Sequence, residues 1–199
     1  MKKDRSIVIA TRNRGKIREI KHVLKPLRLK VKSLLNMPGI PVTRENGKTF
    51  KENAIKKARS IAKITKSLVL ADDSGLEVEA LNGRPGVRSA RYAGSDPTTM
   101  KLCSKLLMEM RNKKDRRAKF ECVIAISRLN KEIIVKGICK GRIALEMKGK
   151  HGFGYDPVFI PDKYSKTFAQ MPLYLKNRIS HRGKALKKAK ACLDRIFPS

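Results

Sequence analysis

Short apolar runs, each followed at once by a polar loop and a helical repeat, constrain this chain more than any other feature. Ser6-Ile7-Val8-Ile9-Ala10 is the first, a buried strand ending in the loop Thr11-Arg12-Asn13-Arg14-Gly15-Lys16. Ile17, Ile20 and Leu24 then recur at helical spacing until Pro26 stops the helix, and Leu29, Val31 and Ser33 alternate as a second strand. Thr49-Phe50-Lys51-Glu52 has the form of a capping box and opens a helix with the stripe Phe50, Ala54, Ala58, Ile61 and Ala62. Leu68-Val69-Leu70-Ala71 is another short strand, and Asn82-Gly83 marks a turn. Asp96-Pro97 supplies an N-cap and first-turn proline for a helix through Cys103, Leu106, Leu107 and Met110. Residues 119–128 and 131–139 read as two strands joined tightly around Leu129-Asn130, with Arg142 to Met147 as a third. A last helix begins near His181 and turns Leu186, Ala189, Leu193 and Ile196 inward. Strands alternating with helices, then a run of strands and a final helix, predict an α/β protein with a mixed sheet. No repeat, low-complexity tract or linker breaks the 199 residues, so one domain is expected over 1–199.

Charge comes next. With 48 Lys and Arg against 17 Asp and Glu, the formal net charge is +31, which points to an anionic partner: nucleic acid phosphates or a small polyanion. Hydrophobic content of 41% argues against a disordered chain. No apolar run nears the roughly 18 residues of a membrane span, and the basic N-terminus lacks the apolar core of a signal peptide. A cytoplasmic protein without membrane partners is therefore expected. Cys103, Cys122, Cys139 and Cys192 are too far apart for a zinc site or redox pair and read as thiols in a reducing compartment. The charge is uneven. Residues 45–96 hold 10 basic and 7 acidic residues, so this stretch keeps its carboxylates while Lys and Arg dominate the rest. The most basic segment, Arg111 to Lys119, contains no aromatic ring, which argues against a single-strand reader that stacks bases.

Four segments carry chemistry. The loop Thr11–Lys16 between a strand and a helix offers backbone N–H groups, a helix N-terminus and the Lys16 charge, either an anion cradle that lacks the Walker A spacing or an ordinary basic turn. Asp72-Asp73-Ser74-Gly75 places adjacent carboxylates at the end of a strand, where open α/β sheets put their ligand sites. Such neighbours repel unless a cation joins them, and strand alternation turns only one of the two into a site. A solvated turn with capping acids is the competing reading. Gly152-Phe153-Gly154-Tyr155-Asp156-Pro157 alternates glycine with scarce aromatics, as a base-stacking wall or as a bulged turn with core rings. His181-Arg182 at a helix start can donate hydrogen bonds to an anion or carbonyl.

Taken together, these segments resemble the inosine/xanthosine triphosphate pyrophosphatases over nearly the whole chain. The resemblance runs from Ile9 to Lys16 and through Thr49-Phe50-Lys51-Glu52-Asn53-Ala54, then Leu70 to Val78 and Leu81 to Tyr92. It ends with Gly152 to Pro157, Lys166-Thr167-Phe168-Ala169 and Ser180-His181-Arg182-Gly183. It implies an elongated mixed sheet flanked by helices, two lobes with a central substrate cleft, a homodimer, and Mg²⁺-dependent hydrolysis of ITP, dITP and XTP to the monophosphate and pyrophosphate. By the same resemblance Asp73 binds the metal and activates water, and Glu45 is the second metal ligand. Thr11, Arg12, Asn13, Arg14, Gly15 and Lys16, with Lys57 and Lys176, would hold the triphosphate, and Ser74 follows Asp73 into the site. Phe153 would stack on the purine, Gly154, Tyr155 and Asp156 would shape that wall, and His181 and Arg182 would read the 6-oxo edge. The chain departs from the family pattern at Arg12, where a small glycine is usual, and at Gln170, where a glutamate is usual. The alternatives are a basic nucleic-acid-binding protein on the same scaffold and a pyrophosphatase for other modified nucleotides.

Overall fold

A computed structural model describes residues 5–128 and 131–198. One mixed six-stranded sheet runs in the order β2-β1-β3-β4-β5-β6. Its strands are β1 (Ser6–Ile9), β2 (Lys30–Ser33), β3 (Val69–Val78), β4 (Arg117–Arg128), β5 (Lys131–Ile143) and β6 (Phe159–Pro161). β1 pairs in parallel with β2 and β3, and β5 pairs antiparallel with β6. The helices are α1 (Arg14–Leu24), α2 (Phe50–Thr65), α3 (Thr99–Glu109), α4 (Leu173–Ile179) and α5 (His181–Ile196). None is long and apolar enough to cross a membrane among the described residues.

The chain forms two compact units. The first draws on the residues up to Asp73, on Cys122–Gly137 and on the chain from Gly183 onward. Its core joins Ile7, Ile9 and Leu70 of the strands to Ile20 and Leu24 of α1 and Leu186, Ala189 and Leu193 of α5. The second comprises Ser74–Glu121 and Ile138–Arg182, and is centred on Leu106, Phe120, Phe159 and Phe168. Phe159 lies 4.7 Å from Phe120 and 5.2 Å from Phe168, ring to ring, which makes the second core the aromatic one.

Most elements fall where hydrophobic periodicity puts them, and the local reasons are visible. Asn13 caps α1, its side chain accepting from the Lys16 N–H at 3.0 Å. Thr49 caps α2 by accepting from the Glu52 N–H at 3.1 Å, while Glu52 reaches back to the Lys48 N–H at 2.7 Å.

Four expectations need correction. β3 does not end at Ala71: the apolar residues Leu76 and Val78 carry it on, so Asp72 and Asp73 sit inside a ten-residue strand. α3 is capped by Thr98, whose side chain accepts from the Lys101 N–H, and Asp96-Pro97 lies ahead of it. The strand expected over 131–139 runs on as β5 to Ile143, where Gly141 lets β6 approach so closely that a Cβ there would collide with the Ile160 carbonyl, and residues 144–147, expected in a third strand, lie outside any strand. β6 and α4 had no counterpart in the sequence reading. The turn at Leu129-Asn130 lies outside the described residues.

Candidate active site

The site residues named from the sequence fall into two groups, one in each unit. In the first unit, β1 delivers the chain to Thr11, whose Oγ1 accepts from the Asn13 N–H at 3.2 Å. Asn13 then starts α1, so Arg14, Gly15 and Lys16 form a first helical turn without any acidic side chain. Its free N–H groups and the positive end of the helix dipole favour an anion. Arg12 turns its guanidinium away to the Ile40 carbonyl, donating at 2.7 Å. This departure from the family pattern therefore braces the neighbouring 37–40 loop.

β3 splits its two aspartates between opposite faces, as strand geometry requires. The Asp72 carboxylate is fully buried, with Oδ1 2.5 Å from Lys16 Nζ and Oδ2 3.0 Å from Cys122 Sγ. Asp73 faces Lys57 of α2, whose Nζ lies 3.6 Å from Asp73 Oδ1 and 2.8 Å from Glu45 Oε1. The same Nζ donates to the Asp72 carbonyl at 2.7 Å. A pocket of about 180 Å³ opens beside these groups, lined by Thr11, Arg12, Thr43, Glu45 and Lys57 among others.

Charge balance here is incomplete. Burial pushes the Asp73 carboxyl above its ordinary range, and Lys57 and Lys16 only partly offset this. Burial opposes the charge on Lys57 as well, but Asp73 and Glu45 outweigh it and hold the ammonium's pKa up. Asp73 Oδ2 makes no hydrogen bond of ordinary geometry among the described residues, with the Asn53 amide near enough only to ease the carboxyl's pKa downward. Two carboxylates from different segments thus converge on one cation, with a buried oxygen to spare. That donor set suits a hard divalent ion sharing phosphate oxygens, which needs only one or two protein carboxylates. Among the described residues there is no cluster of three or more metal-ligating side chains.

In the second unit, Asp156 organises the aromatic segment. Its Oδ2 accepts from the Phe153 N–H at 2.7 Å and pairs with Lys176 Nζ at 2.6 Å. Lys176, buried on α4, stands 4.9 Å from the Phe153 ring centre. It therefore belongs with the aromatic wall. Arg182 lies 5.5 Å from the same ring and donates to Ser74 Oγ at 2.7 Å. His181 stacks on Phe120, ring centres 4.4 Å apart and planes within 9°. Tyr155 is buried and donates to the Ser89 carbonyl at 2.9 Å, so it fixes the segment from behind, whereas Phe153 stays half-exposed. The Gly154 N–H donates to Thr99 Oγ1 at 3.1 Å, tying the segment to the start of α3. Gln170 accepts from the Thr167 N–H in a capping box of its own, so the missing glutamate leaves this turn intact.

Residue pattern alone missed Cys122, Phe120 and the hub role of Asp72. Cys122 and Phe120 read as ordinary inward positions of β4, and nothing in their spacing ties them to Asp72 or His181.

Comparison with known proteins decides the family. The profile of the Ham1 family matches residues 7–192. The chain belongs to the Ham1 family. A dITP/XTP pyrophosphatase of Desulfotalea psychrophila is 50% identical over 96% of this chain and 86% of its own length. One from Desulforamulus reducens is 48% identical over 96% of both chains. Among solved structures, a HAM1 protein from Coxiella burnetii superimposes with a TM-score of 0.87 at 41% identity, covering 96% of this chain and 98% of that one. Membership in the Ham1 family accounts for the α/β fold and for the order in which the site segments occur along the chain.

Proposed function

We propose that this Ham1 protein hydrolyses deaminated purine nucleoside triphosphates (ITP, dITP and XTP) to the monophosphate and pyrophosphate. The observation that carries the reading is the convergence of Glu45 and Asp73 on Lys57 in the unit that also holds the Asn13-capped start of α1. Relatives named dITP/XTP pyrophosphatases supply the substrate class.

Phosphoryl transfer needs positioning and charge neutralisation more than covalent help from the protein. The N–H groups of Arg14 and Gly15 and the ammonium groups of Lys16 and Lys57 hold the triphosphate. Asp73 Oδ2, buried and without a hydrogen bond of ordinary geometry among the described residues, accepts a hydrogen bond from the attacking water and orients it. Glu45 and Asp73 would hold Mg²⁺, which would supply charge neutralisation at the phosphates. Water adds across the bond between the α- and β-phosphates, giving NMP and pyrophosphate. Phe153 stacks on the base, with Asp156 and Lys176 keeping its ring in place. His181 and Arg182 donate to the 6-oxo group. Adenine, with an amino group there, leaves those donors unpaired and is rejected. The family resemblance adds a cytoplasmic homodimer to this reading.

Pyrophosphate release from dITP and dATP, with Mg²⁺ and after chelation, tests the proposal. Release from dITP alone, abolished by the chelator, is expected. Equal rates on the two nucleotides would refute the base selectivity, and unchanged turnover in Asp73→Asn would refute the assigned chemistry.

A further inference from the structure

Two lysines of the first unit depend on one residue that faces away from the reacting carboxylate. Asp72 binds Lys16 chiefly through its side chain, at 2.5 Å, with a longer contact of 3.5 Å to its backbone carbonyl, and binds Lys57 through that carbonyl, at 2.7 Å. The backbone carbonyl is fixed by the strand. The carboxylate must be fixed by contacts, because rotation about its side-chain torsions would carry Lys16 with it. Its other oxygen meets Cys122 Sγ, 3.0 Å away, on the neighbouring strand β4 and with no solvent exposure. A thiol is a weak donor in water. Against a carboxylate with no solvent access it is worth more, since the low dielectric strengthens a hydrogen bond and makes its loss more damaging. The surrounding core, Ile7, Ile9, Leu70 and Ile124, is aliphatic, and any of its residue types at position 122 would present Oδ2 with a methyl group.

We propose that Cys122 is a positioning residue for polyphosphate binding: its thiol locks the Asp72 carboxylate, and the locked carboxylate sets Lys16 at the start of α1. The inference rests on the polyphosphate-binding role given to that helix start under the proposed function. Cys122 touches no substrate atom, so its effect belongs in affinity and not in the chemical step.

The experiment compares wild type with Cys122→Val, which removes the donor and is slightly larger, and Cys122→Ser, which keeps a donor. Binding of inorganic tripolyphosphate is measured by calorimetry, and KM and kcat are measured for dITP. Cys122→Val is expected to weaken tripolyphosphate and raise KM by about three- to tenfold, with a smaller change in kcat. Cys122→Ser is expected to restore most of that loss, because its hydroxyl donates more strongly although it is shorter. In a Lys16→Met background the Cys122→Val effect should vanish, since the two residues act in series. Unchanged tripolyphosphate affinity in a folded Cys122→Val overturns the proposal. So does a Cys122→Ser protein as impaired as Cys122→Val, or full additivity with Lys16→Met, either of which reduces Cys122 to a packing residue. Wild-type protein that binds tripolyphosphate without hydrolysing dITP counts against the proposed reaction alone, because the binding arm still decides the role of Cys122.

Discussion

Asp73 is buried with two lysines in reach, and burial still dominates its ionisation. An acid whose pKa is higher in the folded than in the unfolded chain stabilises the fold fully below the unfolded value, and loses that contribution as pH rises through the folded one. Asp73 therefore weakens the ligand-free protein at neutral pH. Asp73→Asn should melt at or above the wild-type temperature at neutral pH, converge with it in acid, and lose about a hundredfold or more in kcat for dITP. A lower melting temperature at neutral pH in calorimetry would contradict that assignment of charge. The adjacent aspartate shows how far residue-level reading of the sequence reaches. Strand alternation sends the two side chains to opposite faces, and the family resemblance picked Asp73 for the site. The role of Asp72 as the hub for Lys16 and Lys57 depends on β4 and α2, which lie far along the chain, so no local pattern contains it.

Elements explain both the successes and the failures of sequence reading. α1, α2 and α5 carry amphipathic stripes with recognisable caps or stops, and they form as expected. β6 has three residues and α4 has seven, too short for a period to declare itself, and β3 and β5 run on through polar residues that look like strand ends. α2 carries Lys57, so its N-terminus matters twice. Thr49→Ala removes the cap on the Glu52 N–H and should cost about 1 kcal/mol of stability, read as a lower midpoint in urea unfolding. The 152–156 segment is more sensitive. Gly152 has φ +80°, and a Cβ there would collide with Asp156 Oδ2, the oxygen that holds both Phe153 and Lys176. Gly152→Ala should raise KM for dITP by about tenfold or more while leaving tripolyphosphate affinity unchanged, because it disturbs the base wall alone. Loss of tripolyphosphate affinity in that variant would show that the two groups of site residues do not act separately.

On the scale of the whole molecule, a net charge of +31 is far more than a triphosphate needs. Most of it is solvated surface whose self-repulsion opposes the compact state. Thermal stability should therefore rise as the screening length falls from about 30 Å at 0.01 M salt to about 8 Å at 0.15 M. A melting temperature indifferent to salt would mean that the charges are already neutralised by pairing. The two units are each assembled from separated stretches of sequence, and β3, β4 and β5 all contribute residues to both. Three of the four boundaries fall inside a strand and the fourth inside α5, so neither unit is a continuous stretch of chain. The buried thiols turn this into a measurement. Cys122 belongs to the first unit and Cys103 to the second, and burial pushes the Cys103 thiol up to about 12, leaving it inert until its surroundings open. Alkylation of the two under mild denaturant thus clocks the opening of each unit from within, and shared strands require the two clocks to run together.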